Sequence, residues 1–209
     1  MEDETTPSAS HLSGGRGARE RILRAATRLF YRHGIQNTGI AALTDAAHVS
    51  TRTFYQHFAT KNALIEAYLR RYETHLRGDD AETPMAAERQ LERDDLPPSE
   101  RLLAIFDPLE SHTNAVVRGC PFHNAAVEAA GEIPAVAHLV ELHKKTFRDR
   151  LTDIAAEAGA TDPRSLGRQL AVIFEGALAL STSCNDKQVI ADARRAAATL
   201  IRAAHSTAS

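Results

Sequence analysis

Between Arg19 and Leu69 the chain is cut into short pieces by a glycine, a serine and a threonine, and one piece is too small to stand by itself. Ile22, Ala25, Ala26, Leu29 and Phe30 recur at helical spacing, which predicts an amphipathic helix with Arg21, Arg24, Arg28 and Arg32 turned elsewhere. Gly34 stops it, because glycine takes the left-handed helix-ending conformation without strain. Asn37 and Thr38 are the expected caps of a second helix, whose buried side is Ile40, Leu43, Ala46 and Ala47. His48-Val49 turns the chain, and Ser50 caps a third helix beginning at Thr51. Thr60 caps a fourth, in which Leu64, Ile65, Tyr68, Leu69 and Tyr72 carry the apolar face.

The third piece constrains the reading most. A helix from Thr51 to Gln56 cannot persist alone in water, because nucleation costs more than its few hydrogen bonds return. Val49, Phe54 and Phe58 are its apolar anchors, and what remains outside (Thr51, Arg52, Thr53 and Gln56) is small, polar and basic. That layout is a helix-turn-helix, with the second helix presented to the major groove of double-stranded DNA and its first turn facing base edges.

Residues 19 to 69 resemble the N-terminal DNA-binding domain of the TetR family of bacterial transcriptional regulators. The likeness rests on Phe30, Gly34, Thr38, Ile40, Leu43, Ala46, Val49, Ser50, Phe54, Tyr55, His57, Phe58, Lys61 and Leu64. It implies that Thr38, Tyr55, His57 and Lys61 contact phosphates while Thr51, Arg52 and Thr53 face bases; Gln56 joins them by its outward position. Arg52 stands where the family more often has a small residue, and Ala59-Thr60 replaces a commoner Pro/Lys-Ser/Asp pair. Arg52 either reads a guanine through two donors or grips a phosphate, with the base favoured.

Charge divides the chain in the same way. Arg16 to Arg77 holds eleven Lys/Arg against four Asp/Glu, a net +7, whereas the whole chain is −2 and the remainder therefore −9. A basic module on an acidic body suits a DNA ligand, since phosphate contacts supply affinity and orientation. At 209 residues and 43% hydrophobic, the chain has room for that module and one larger helical domain. Two cysteines, Cys120 and Cys184, suggest a reducing compartment without a disulfide framework. Met1 to Ser13 lacks the apolar stretch of a signal peptide, and Ala171 to Leu180 is too short and too interrupted by Glu175 to span a bilayer. The expectation is an all-α, cytoplasmic protein with no membrane partner: a tail at 1–15 without order, a helix-turn-helix domain at 16–62, and a helical effector-binding and dimerisation domain at 63–209.

Within the body, Asp79 to Pro98 is a polar break with one short helix near Met85 to Leu91. Ser99 is the expected cap of a helix bearing Leu102, Leu103, Phe106 and Leu109, which Pro108 should kink or split near Asp107. Gly119-Cys120-Pro121 opens another, and Gly119 to Asn124 resembles the Gly-Cys-x-x-x-Asn of many TetR relatives. Pro134 begins a long helix with the stripe Val136, Val140, His143, Phe147, Leu151 and Ile154, ended by Gly159. The last two helices turn at Asn185-Asp186 into an antiparallel hairpin. Leu166, Leu170, Ile173, Ala177 and Leu180 on one, with Ile190, Ala193, Ala197 and Leu200 on the other, are the expected dimer interface. A twofold pair of recognition helices about 34–36 Å apart would read a palindromic operator.

An unknown small-molecule effector would sit among the body helices, with Phe106, His112, Phe122, His123, His143, Phe147, Phe174 and Glu175 as candidate lining. The phenylalanines serve equally as plain core, and His143 as a hydrogen-bonded core histidine; Glu175 is the sharper case, since an unpaired carboxylate is costly to bury. The histidines lack metal-ligand spacing, so neither a metal nor another cofactor is expected, and Cys120 is either a thiol switch or a small buried cysteine. No Gly-rich phosphate loop, nucleophile elbow or paired metal motif supports an enzyme. The sequence therefore favours a ligand-responsive repressor over an all-helical enzyme or a partner-binding protein with a helix-turn-helix-like terminus.

Overall fold

The computed structural model describes residues 16–75, 86–111, 119–186 and 188–205, and the regular structure among them is helical throughout. The expected tail at 1–15, Met85 and His112 lie outside the described residues. The chain divides after Tyr68 into two units.

The first unit holds α1 (Arg16–His33), α2 (Ile40–Ala47), α3 (Thr51–His57) and the opening of α4 (Lys61–His75). Ile22, Ala25 and Ala26 on α1 and Leu43 on α2 are fully buried, so the predicted stripes do meet. Gly34, at φ +87°, ends α1 and donates its N–H to the Phe30 carbonyl at 3.0 Å. His48 closes α2 in the left-handed region at φ 52°, an uncommon conformation for a residue with a side chain. Thr60 caps α4 as expected, its hydroxyl accepting from the Ala63 N–H at 3.0 Å. The cap of α2 is different. Gly39 occupies that position with no side-chain bond, while the Asn37 amide donates back to the His33 carbonyl at 3.3 Å. Thr38 turns inward to donate to the Gly34 carbonyl at 2.7 Å. Both side chains thus satisfy the carbonyls that the abrupt end of α1 leaves open. Tyr68, the last residue of this unit, sits edge-on against Phe30, with ring centroids 5.3 Å apart.

The second unit continues through α5 (Ala86–Arg89) with a 3-10 turn at Gln90–Glu92, α6 (Pro98–Ala104), α7 (Asp107–Ser111), α8 (Pro121–Glu128), α9 (Pro134–Glu157), α10 (Pro163–Cys184) and α11 (Gln188–Ala204). Pro108 separates α6 from α7 as its ring chemistry requires. Pro97, not Ser99, stands at the cap of α6, because Pro98 fits the first helical position where no backbone donor is missed. Arg101 is buried; its guanidinium donates to the Leu91 carbonyl at 2.8 and 3.1 Å and to Glu157 at 2.9 Å, tying the 3-10 turn to the end of α9. The long helices α9 and α10 pack along one another, and α11 returns along α10 after a left-handed Asn185. Gly167 sets the closeness of α9 and α10: a Cβ there would lie 2.4 Å from the Thr152 hydroxyl and 2.9 Å from its backbone nitrogen.

Within the single chain, most of the expected dimer stripe is already covered. Leu166, Leu170, Ala177, Ile190 and Ala197 are buried inside the unit, and Ile173, Ala193 and Leu200 are half-buried. Of the α10 residues in that set, Leu180 is exposed, at 52%. Helical spacing finds the more apolar stripe, which here faces the chain's own interior. The outward apolar positions of α10 are Val172, 72% exposed, and Leu180, with Gly176 between them, where an added Cβ would meet nothing within 4 Å. No helix among the described residues is long and apolar enough to cross a membrane.

Candidate functional site

Helix α3 is fixed at both ends before its outer face can do anything. Ser50, in extended backbone, accepts the Thr53 N–H at 3.1 Å and pairs with the Thr53 hydroxyl at 2.9 Å. Phe54 is wholly buried, with its ring 5.4 Å from Tyr55 and 6.1 Å from Phe58. The Arg19 guanidinium lies 5.1 Å from the centre of the Phe58 ring. Arg21 on α1 donates to the Ala47 carbonyl at 3.1 Å, holding the end of α2 where the turn into α3 begins. Arg21 was not a candidate from sequence, and nothing in the pattern sets it apart from the other arginines of α1.

Outside this support, Thr51, Arg52, Tyr55 and Gln56 are exposed, while Thr53, His57 and Lys61 are half-buried beside them. Seven candidate residues therefore gather on α3 and the first turn of α4. Thr38 does not join them as an accessible side chain. It is 2% exposed and its hydroxyl is committed to the Gly34 carbonyl, so it shapes the entry to α2 rather than offering a donor to a ligand.

The body candidates separate into a core and two clefts. Phe106, Phe147 and Phe174 form an aromatic cluster with Phe174 central, at 5.9 and 5.1 Å. Phe122 stacks face to face on His143, 3.7 Å away and within 7° of parallel. His143 is buried, with Nε2 3.2 Å from a Glu88 carboxylate oxygen. Burial opposes its charge, but its neighbours Cys120 and Glu88 outweigh burial and raise its pKa to about 9. The neighbouring Lys144 reaches Glu175 at 2.5 Å and the Cys120 sulfur at 3.4 Å. Its pKa too is raised against burial, by the charges of Cys120 and Glu175.

Cys120, His123, Val127, Glu175 and Thr182 line a cleft of about 210 Å³. Glu73, Glu88, Leu142, His143, Phe147 and Arg150 line a larger one of about 500 Å³. Thus His123 and Glu175 belong to the first, His143 and Phe147 to the second, and Phe106, Phe122 and Phe174 line neither. Lys144 and Glu88 were missed in the sequence. Lys144 had a signal, since it follows His143 directly on a helix whose apolar stripe that histidine interrupts.

Residues 22–68 match the family described as bacterial regulatory proteins, tetR family, and residues 98–197 match the tetracyclin repressor-like C-terminal domain. The chain belongs to the TetR family. A TetR-family transcriptional regulator from Streptomyces coelicolor superposes on 90% of this chain and 96% of its own, with a TM-score of 0.78 at 28% identity. A TetR-type regulator from Streptomyces avermitilis is 30% identical over 91% of this chain and 99% of its own, with a TM-score of 0.74. The HTH-type transcriptional repressor KstR2 of Rhodococcus jostii is 33% identical over 66 residues, and that match spans only 32% of either chain. This TetR-family chain is accordingly a transcriptional regulator, with the family's regulatory-protein match at 22–68 and its C-terminal-domain match at 98–197.

Proposed function

We propose that this TetR-family regulator is a homodimeric repressor that binds a palindromic operator and leaves it when a small molecule occupies its second unit. One observation carries the reading: α3 exposes Thr51, Arg52, Tyr55 and Gln56 over a base of buried aromatics, leaving a polar, cationic face of groove-reading size. Thr51, Arg52, Thr53 and Gln56 approach base edges; Tyr55, His57 and Lys61 hold phosphates. The DNA-binding part is 16–62 with the following turns of α4 as its support, and 63–209 supplies dimerisation and effector binding.

Dimerisation is supported by the outward strip of Val172, Gly176 and Leu180, an apolar face with open space at its centre onto which the same strip of a second copy can close. The larger cleft, about 500 Å³, falls within the size range of small-molecule sites and is the favoured effector location. An occupant that changes the separation of the two recognition helices by a few ångström would release one half-site. Repression is favoured because KstR2, similar over the DNA-binding stretch, is named a repressor. A DNA ligand favours a cytoplasmic location.

Mobility shift and footprinting on the promoter beside its own gene test the reading. Salt-sensitive retention of one sequence and protection of a twofold-repeated site are expected. Equal retention of any duplex, or a protected site without symmetry, refutes it.

A further inference from the structure

We propose, resting on the operator reading above, that Arg52 and Gln56 are the specificity pair of α3, and that each half-site carries a guanine and an adenine with one base pair between them. Side chains two positions apart on an α-helix point about 160° away from each other. Arg52 and Gln56 each stand two positions from the wholly buried Phe54, so both lie opposite the anchor that fixes the helix. Four positions apart, they share one ridge, and it is the outermost. Thr51 and Tyr55 form a second exposed ridge to one side; the half-buried Thr53 and His57 flank the other.

Availability selects the same two side chains. Both are exposed, and neither has a hydrogen-bond or ionic partner among the described residues. The Thr53 hydroxyl is already paired with Ser50 at 2.9 Å inside the cap that starts the helix, so Thr53 positions α3 rather than reading from it. The single hydroxyl of Thr51 suits any base edge and discriminates little. Chemistry then assigns the letters. The Arg52 guanidinium offers two donors in a fixed fork, which match O6 and N7 of guanine; it has no acceptor for the amino group of adenine. The Gln56 amide offers one donor and one acceptor, which match N7 and the amino group of adenine. Four residues rising about 1.5 Å each set the two groups roughly 6 Å apart along α3, close to two base steps of about 3.4 Å.

The full chain is used to enrich sites from a random duplex pool, and variants are compared on the enriched site. Guanine and adenine two steps apart are expected in each half. Replacing that guanine by 7-deazaguanine, which lacks the N7 acceptor, should weaken the unaltered protein by about threefold or more and leave Arg52→Ala indifferent. The pairing of 7-deazaadenine with Gln56→Ala should behave in the same way. Arg52→Gln should exchange the guanine preference for adenine, which neither a lost fold nor a displaced helix can produce. Thr53→Ala should lower affinity without changing any preferred letter. An enriched symmetric site whose letters ignore the Arg52 and Gln56 variants overturns the assignment and leaves the operator reading standing. Enrichment of no sequence overturns both.

Discussion

Helices α3 and α10 each bury one side and expose the other, and the exposed sides differ in kind. On α3 the outward residues are Thr51, Arg52, Tyr55 and Gln56; on α10 they include Val172, Gly176 and Leu180. Phosphates and base edges reward donors and cations, whereas a second copy of an apolar strip rewards only shape and removal from water. What each helix leaves uncovered is thus informative about its partner, and what it covers is informative only about its own fold. The covered sides are alike in this respect: Phe54 on α3, Leu170 and Phe174 on α10.

The contrast can be broken most forcefully on α10. Val172→Glu with Leu180→Glu places charges on the strip that a second copy should cover. Sedimentation should show single subunits, and operator affinity should fall by about 10²–10⁴ once the half-sites are no longer linked. A dimer that survives both substitutions would show that the strip is ordinary surface. Beneath α10, His143 tests the interior. Its pKa of about 9 exceeds the ordinary 6.5, so the charged form is the one the fold favours. Its contribution is whole below pH 6.5 and is lost as pH rises toward 9, at most about 3 kcal/mol. Urea unfolding of the protein and of His143→Gln should converge across that range, and a constant difference would deny the charge.

Two glycines on α10 sharpen the comparison of its sides. Gly167→Ala drives a methyl group into the Thr152 backbone and should cost about 1–3 kcal/mol in thermal unfolding. Gly176→Ala meets open space in the single chain and should stabilise an isolated subunit by up to about 1 kcal/mol. On α3, Arg52→Ala should relax preference at one base pair by about 1–3 kcal/mol in a binding series of operator variants. Lys61→Ala should instead weaken every sequence alike and reduce the salt slope by about one. If both variants behave identically, Arg52 grips phosphate rather than a base.

Local chemistry was legible in the sequence; chemistry spread along the chain was not. Gly34, Ser50 and Thr60 could be placed because a helix end is decided by residues within one turn of it. Thr38 was harder for a related reason: a hydroxyl looks available until the carbonyl it satisfies is seen four residues back. The stripe of Leu166, Leu170 and Ala177 is covered within the chain itself, since spacing records burial without saying by whom. Cys120, Lys144 and Glu175 meet across 24 and 31 residues of sequence, and no spacing rule connects them until α8, α9 and α10 have packed.

The brevity of α3 limits how much text it can read. Seven residues rising about 1.5 Å each make a rod of roughly 10 Å, against about 3.4 Å for each step of the duplex. In the proposed dimer, direct reading would extend to about three letters per copy and about six for the pair, a word that chance repeats once in roughly four thousand positions. A genome offers about a million or more competing positions, so in that complex the intervening spacer would have to discriminate through its own stiffness and groove width.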